Sequence, residues 1–182
     1  EMLPNLIERG RDPSVGITAS HATISLRVAT RAASIDDCLA KMQPTLNLIR
    51  TKLGDLVFGE NGQTLPEVVA NQLQQQNLTL AVLDFGLNGI LKTELDRFQP
   101  DFCIQRIAEP GAEQPVAQNI ATWAESVRRE SGAAIGLVIG KINRDEHSVV
   151  NGQSLYQVGI AGPTGFVSQE FRYWGHSAWR DD

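Results

Sequence analysis

Asp84, Gly86, Asn88 and Gly89 are the residues best placed to meet a ligand. They fall in Leu83-Asp84-Phe85-Gly86-Leu87-Asn88-Gly89, which follows directly on the apolar run Thr79-Leu80-Ala81-Val82-Leu83. The run reads as a buried strand, and the turn after it should open a helix. Such a turn exposes one side chain and leaves backbone N–H groups unpaired at the helix start, an arrangement that presents a nucleophile or cradles an anion. Gly86 and Gly89 permit close approach to the backbone, and Asn88 can cap the helix. Asp84 could act as an acid or base if buried among apolar neighbours. It could equally cap a helix or face water. The slot where a nucleophile would stand carries Phe85, which offers no hydroxyl, thiol or charge, so no catalytic residue is assigned.

The remaining reactive residues are scattered. His21, His147 and His176 fall in different loops, and no His-x-x-x-His or Cys/His cluster is present. Neither a metal nor a cofactor is expected. No serine sits in a Gly-x-Ser-x-Gly elbow. Cys38 and Cys103 lie in apolar contexts far apart and read as buried, reduced thiols. Lys141-Ile142-Asn143-Arg144-Asp145-Glu146-His147 is the densest polar segment, after the apolar run Ala134 to Ile139. Loops at strand carboxyl ends line ligand crevices in α/β sheets, although compensating charges also suit a solvated loop.

Two blocks of elements must position these residues. In residues 1–60, Met2 to Arg9 is helix-like, Val15 to Ala19 and Ala22 to Val28 read as strands, and Leu56-Val57-Phe58 as a short third strand. Between them Ile35, Leu39, Met42, Leu46, Ile49 and Leu53 form one helical stripe behind the N-cap Ser34, with Pro44 expected to kink or divide the helix. This block is a small α+β domain. After the turn-rich Gly59 to Gln63, a second domain spans 64–182. A helix starts at Thr64 with Glu67 completing a capping box, and strands and helices then alternate. A hairpin around Gly162-Pro163-Thr164-Gly165 follows. The fold class is therefore α/β: a small α+β domain followed by an α/β/α sandwich with a mixed sheet.

Composition narrows the function classes. The chain is 42% hydrophobic and 20% charged, as ordinary soluble domains are. A formal net charge of −5 argues against a nucleic-acid partner. No apolar run of 18 residues and no leader occur, so no membrane partner is expected and a cytoplasmic location follows. The start at Glu1 reads as a cut within a longer protein.

At this level of detail a family resemblance emerges. Leu26-Arg27-Val28, a helix, then Leu53-Gly54-Asp55-Leu56-Val57-Phe58-Gly59-Glu60 resembles the middle domain of CinA (competence/damage-inducible) proteins. Thr64-Leu65-Pro66-Glu67-Val68-Val69, Leu78-Thr79-Leu80-Ala81 and Gly132-Ala133-Ala134-Ile135-Gly136-Leu137 are similar to that family's C-terminal domain. The resemblance covers nearly the whole chain in the family's order. It implies a domain that hydrolyses the carboxamide of nicotinamide mononucleotide to acid and ammonia. It also implies a preceding molybdopterin-cofactor-binding-like domain, associated in some members with ADP-ribose pyrophosphatase activity. The family's middle domain is sometimes likened to KH folds, but no Gly-x-x-Gly loop joins helices in residues 1–60.

The family's catalytic motifs do not carry over. Where its Glu-Ser-Cys-Thr-Gly-Gly places a serine nucleophile, this chain reads Asp84-Phe85-Gly86-Leu87-Asn88-Gly89. The family's Tyr-Ser-Asn-x-x-Lys helix has no counterpart after Phe102-Cys103-Ile104-Gln105-Arg106-Ile107. Its Thr-Gly-Ile-Ala-Gly-Pro becomes Gly140-Lys141-Ile142-Asn143-Arg144-Asp145, while Gly159-Ile160-Ala161-Gly162-Pro163 falls a strand too late. The resemblance thus implies a deamidase-like domain without catalysis. It would serve in oligomerisation, or in sensing a nucleotide-like small molecule, for an N-terminal nucleotide-hydrolase-like domain. The alternative is an active nicotinamide mononucleotide deamidase with a relocated nucleophile such as Ser148 or Ser154. A homo-oligomer is expected, because Phe171, Tyr173 and Trp174 would leave an apolar sheet face.

Overall fold

The computed structural model describes residues 5–20, 23–98, 101–109, 113, 119–141, 143–144 and 153–174. The chain divides into two compact units between Gly62 and Gln63.

In the first unit, β1 (Ser14–Ser20) pairs antiparallel with β2 (Thr23–Ala29), with Val15 opposite Val28 and Ile17 opposite Leu26. The helix α1 (Ile35–Leu53) starts at Ser34, whose hydroxyl oxygen accepts from the Asp37 N–H. Leu6, Val15 and Ile49 form the buried centre, with Leu26, Val28, Leu53 and Val57 packed around it. Three expectations need correction. Pro44 does not divide α1, which runs unbroken over 19 residues. Pro44 is exposed, so its ring meets solvent, and its cost is one lost hydrogen bond against anchoring by buried Thr45 and Ile49. Leu56 to Phe58 is not a strand. A 3-10 turn takes Gly54–Leu56, and Val57 reaches the core by its side chain without joining a sheet. The described part of Met2 to Arg9 is a series of turns, since Asn5 has φ 62°, outside helical space. Leu6 still plugs the core.

The second unit carries the candidate site. In chain order come α2 (Leu65–Gln75), β3 (Leu80–Asp84), α3 (Ile90–Asp96), β4 (Cys103–Ile107) and α4 (Ile120–Ser131). β5 (Ile135–Ile139), β6 (Asn143–Arg144), β7 (Gln153–Gly162) and β8 (Gly165–Trp174) follow. α2 begins with the capping box in which Thr64 and Glu67 exchange backbone and side-chain hydrogen bonds. α4 ends on Gly132, at φ 69°, as a left-handed C-cap. Its described start is Ile120.

The sheet is mixed. β3 runs parallel to both β4 and β5, and β7 lies antiparallel to β5, β6 and β8. One face packs Leu73, Leu80, Val82, Leu95 and Cys103 beneath α2 and α3. The other packs Ile120, Ala124, Val138 and Ala161 beneath α4. Helices on both faces around a mixed sheet are the expected sandwich. α4 approaches so closely that a Cβ on Gly136 would lie 2.0 Å from the Ala124 carbonyl oxygen. One on Gly159 would lie 2.5 Å from that of Ile120. Only glycine lets helix and sheet backbones meet at this distance.

Candidate functional site

The turn from β3 to α3 is built around Asp84, which is wholly buried. β3 is apolar at Leu80, Ala81 and Val82, so the strand carries its last residue into the interior between two parallel neighbours. Backbone bonds pin the strand end on both sides. The Phe85 N–H donates to the Ile139 carbonyl at 2.9 Å, and the Ala108 N–H donates to the Asp84 carbonyl at 2.8 Å.

The Asp84 carboxylate then folds back over its own turn. Oδ1 accepts from the backbone N–H of Gly86 at 2.8 Å and of Leu87 at 2.7 Å. Oδ2 accepts from the N–H of Gly89 at 2.8 Å and from Gln105 Nε2 at 2.8 Å. Three N–H groups that could cradle an incoming anion therefore already hold one, supplied by the chain. Every one of these contacts uses the carboxylate as acceptor, so its lone pairs are engaged in holding the turn.

Gln105 is the residue that the sequence reading passed over. Its Oε1 accepts from the Lys92 N–H at 2.9 Å while its Nε2 donates to Asp84. One amide from β4 thus caps the first turn of α3 and closes the ring of partners around Asp84. The available signal was a polar residue between the apolar Cys103 and Ile107 on the same face of a strand. Asn88 does not cap the helix. The N-cap is Gly89 at φ 88°, without a side-chain hydrogen bond, and Asn88 is exposed with φ 52°. The cap is supplied across the sheet, so Asn88 is left to make the left-handed turn, a conformation asparagine tolerates.

Phe85 points the other way. Its half-buried ring packs with Trp123, Leu83 and Val127 against Ile120, Ala124, Val138 and Ala161. It meets Trp123 edge to face, with centroids 6.0 Å apart at 67°. The position of a nucleophile is thereby part of the hydrophobic layer under α4. On this face a hollow of about 40 Å³ lies between Leu83, Arg106, Val127 and Glu130. Small-molecule sites need about 300–1,000 Å³. A larger open groove, about 450 Å³, lies in the first unit along Ala32, Ser34, Ile35, Cys38, Leu39 and Met42, with no charged lining.

The other candidates do not join this site. His21, His147, His176 and Ser148 lie outside the described residues, and Ser154 is placed in the backbone ladder of β7. Asn143 and Arg144 form the short strand β6, Lys141 is exposed, and the rest of that polar segment lies outside the described residues. No group of His, Cys, Asp or Glu among the described residues could hold a metal ion. Cys103 is buried, as expected, and burial pushes its thiol up to about 11; Cys38 is half-buried. No described helix is long and apolar enough to cross a membrane.

Comparison with known proteins places this architecture. The model of the Damage-inducible protein CinA KH domain matches residues 1–59. A CinA-like protein of Desulfovibrio desulfuricans is 26% identical over 176 residues, covering 90% of this chain and 39% of the relative. A competence-damage inducible protein of Desulforamulus reducens is 22% identical over 196 residues, covering 96% of this chain and 47% of the relative. A CinA-like protein of Dictyoglomus turgidum is 30% identical over 95 residues, 52% of this chain and 23% of the relative. The chain spans less than half the length of these relatives. With the KH-domain match at one end and alignments running through the second unit, the chain is similar to CinA (competence/damage-inducible) proteins along nearly its whole length.

Proposed function

We propose that this chain is the assembly part of a CinA-type protein, and that its deamidase-like unit no longer hydrolyses amides. Its service would be to hold copies together for a nucleotide-hydrolase-like domain of the kind the family resemblance implies. The observation that carries the reading is the β3–α3 turn, where Phe85 is packed on Trp123 and the turn's N–H groups are taken by Asp84.

Amide hydrolysis needs an activated nucleophile, a partner that moves protons and donors aimed at the developing oxyanion. Phe85 supplies no lone pair. The turn's donors are saturated by a buried carboxylate, whose charge would repel an oxyanion. Loss of a nucleophile alone costs several orders of magnitude in rate. The same saturation weighs against ligand sensing through Asp84, Gly86 and Gly89 and leaves Asn88 as the exposed member of the four. Assembly is therefore the role favoured.

The test is direct. The chain is incubated with nicotinamide mononucleotide at high enzyme concentration and ammonia is measured. No release above a Phe85→Ala control is expected. A saturable rate lost on Ser148→Ala or Ser154→Ala would instead establish a relocated nucleophile and overturn the reading.

A further inference from the structure

We infer that two copies of this chain join through β8 in one register, antiparallel about a twofold axis at Phe171, so that their sheets become continuous. The inference rests on the assembly reading and specifies its surface.

β8 is ten residues long, and among the described residues no strand pairs with its outer edge. Natural edge strands are guarded by charged side chains, proline or bulges; β8 has no lysine, proline or bulge, carries Glu170 and Arg172 as its charges, and keeps unbroken one-to-one pairing with β7. Its exposed positions include Phe166 at 64%, Val167 at 61% and Phe171 at 38%. The opposite edge, β4, is five residues long.

The direction of the backbone groups can be worked out. The Gly140 N–H donates to the Gln157 carbonyl at 2.8 Å, so Gln157 faces β5 and its neighbours Tyr156 and Val158 face β8. Their partners are Phe171 and Gln169. Hence Phe166, Ser168, Glu170 and Arg172 turn their own N–H and C=O outward, ready to bond another strand.

Charge then favours one register over its neighbours. Glu170 and Arg172 already share one side of β8, with Arg172 Nη2 3.0 Å from Glu170 Oε1. Pairing centred on Phe171 sets Glu170 opposite the partner's Arg172 twice, within hydrogen-bonded backbone pairs. Centring on Glu170 or on Arg172 would instead set like charges face to face. The same Phe171 axis brings the two Phe171 side chains together at a close, non-hydrogen-bonded pair. They meet on the sheet face where Tyr156 stacks on Phe171 at 5.3 Å and Ile160 and Val167 are exposed.

The experiment is a charge swap read by sedimentation velocity on the full chain. Glu170→Arg and Arg172→Glu should each weaken the wild-type dimer about tenfold to a hundredfold, because two attractive pairs become repulsive. An equimolar mixture of the two variants should recover a dimer, since each complements the other, and recovery also shows that both fold. Phe171→Cys, in a Cys38→Ser background, should oxidise to a covalent dimer across the axis. Wild-type dimers unaffected by the swaps, or a mixture that stays monomeric, would overturn the β8 surface and leave assembly standing. A wild-type chain that stays monomeric to about 100 μM, above the weak end of specific association, would overturn both.

Discussion

Replacing Asp84 by asparagine changes only one oxygen to NH2 and should nevertheless be strongly destabilising. Oδ1 can go on accepting from Gly86 and Leu87. The new amide nitrogen, however, faces two donors, the Gly89 N–H and Gln105 Nε2, each at 2.8 Å in the wild type. Gln105 can turn its amide to offer an oxygen, but its nitrogen then faces the Lys92 N–H, now bonded at 2.9 Å. Either way two donors in a buried ring are left unpaired, and bonds to a charged acceptor are lost. At about 1–3 kcal/mol for each unpaired donor, Asp84→Asn should cost about 3 kcal/mol. A second change reverses the sign. Gln105→Glu in the wild type sets two carboxylates against each other and destabilises. In the Asp84→Asn background the carboxylate introduced by Gln105→Glu accepts from both the new side-chain amide and the Lys92 N–H, recovering about 1–2 kcal/mol. Native-state hydrogen exchange of the β3 amides measures the opening free energy of this unit within the full chain. Gln105→Glu equally harmful in both backgrounds, or Asp84→Asn neutral within about 0.5 kcal/mol, would refute the account of the turn.

Four further outcomes are expected. Phe85→Ser should place a hydroxyl in the nucleophile position without ammonia release from nicotinamide mononucleotide, and the lost contacts with Trp123 should lower stability by about 1–3 kcal/mol; turnover in that assay would mean the rest of the machinery survives. Gly159→Ala should destabilise by about 2–4 kcal/mol in thermal unfolding, because the new methyl meets the Ile120 carbonyl at 2.5 Å, whereas Gly162→Ala, with open space at its Cβ, should change little. Glu125 should titrate by NMR near 2, because hydrogen bonds from Arg128 and then Arg129 hold its carboxyl below the ordinary 4.5. Its contribution to stability is complete above pH 4.5 and is lost as pH falls toward 2; Arg128→Ala should move the midpoint back up. Native Cys103 should resist alkylation at pH 8, where Cys38 reacts, since burial pushes the Cys103 thiol up to about 11.

Local chemistry made most of the elements legible. The capping pair Thr64 and Glu67 marked the start of α2, and the apolar run Ala134 to Ile139 coincides with β5. The alternation along Ala22 to Val28 gave the strand of the small hairpin. What escaped depended on partners remote in sequence. Val57 has strand propensity, but no edge receives it, so it packs without pairing. Asn88 had the right type and position for a cap, yet the cap came from Gln105, 13 residues past the helix position it serves, through a sheet contact that no local window contains. The site was half legible in the same sense. Residue types alone showed that Phe85 removes the nucleophile. That Asp84 would fill the anion cradle depended on its burial, which follows from parallel neighbours on both sides.

That internal carboxylate has a consequence for the solution chemistry of the domain. An anion tethered two to five residues from the N–H groups it binds acts as a competitor that cannot diffuse away. Its effective concentration is at least millimolar and is independent of dilution. A dissolved phosphate or nucleotide would have to displace it and leave it buried beside the intruder. The turn should therefore be indifferent to the anion content of the buffer, keeping one shape in phosphate, sulfate or chloride. Restoring a serine at position 85 would not by itself reopen the cradle, because the occupant is written into the adjacent codon.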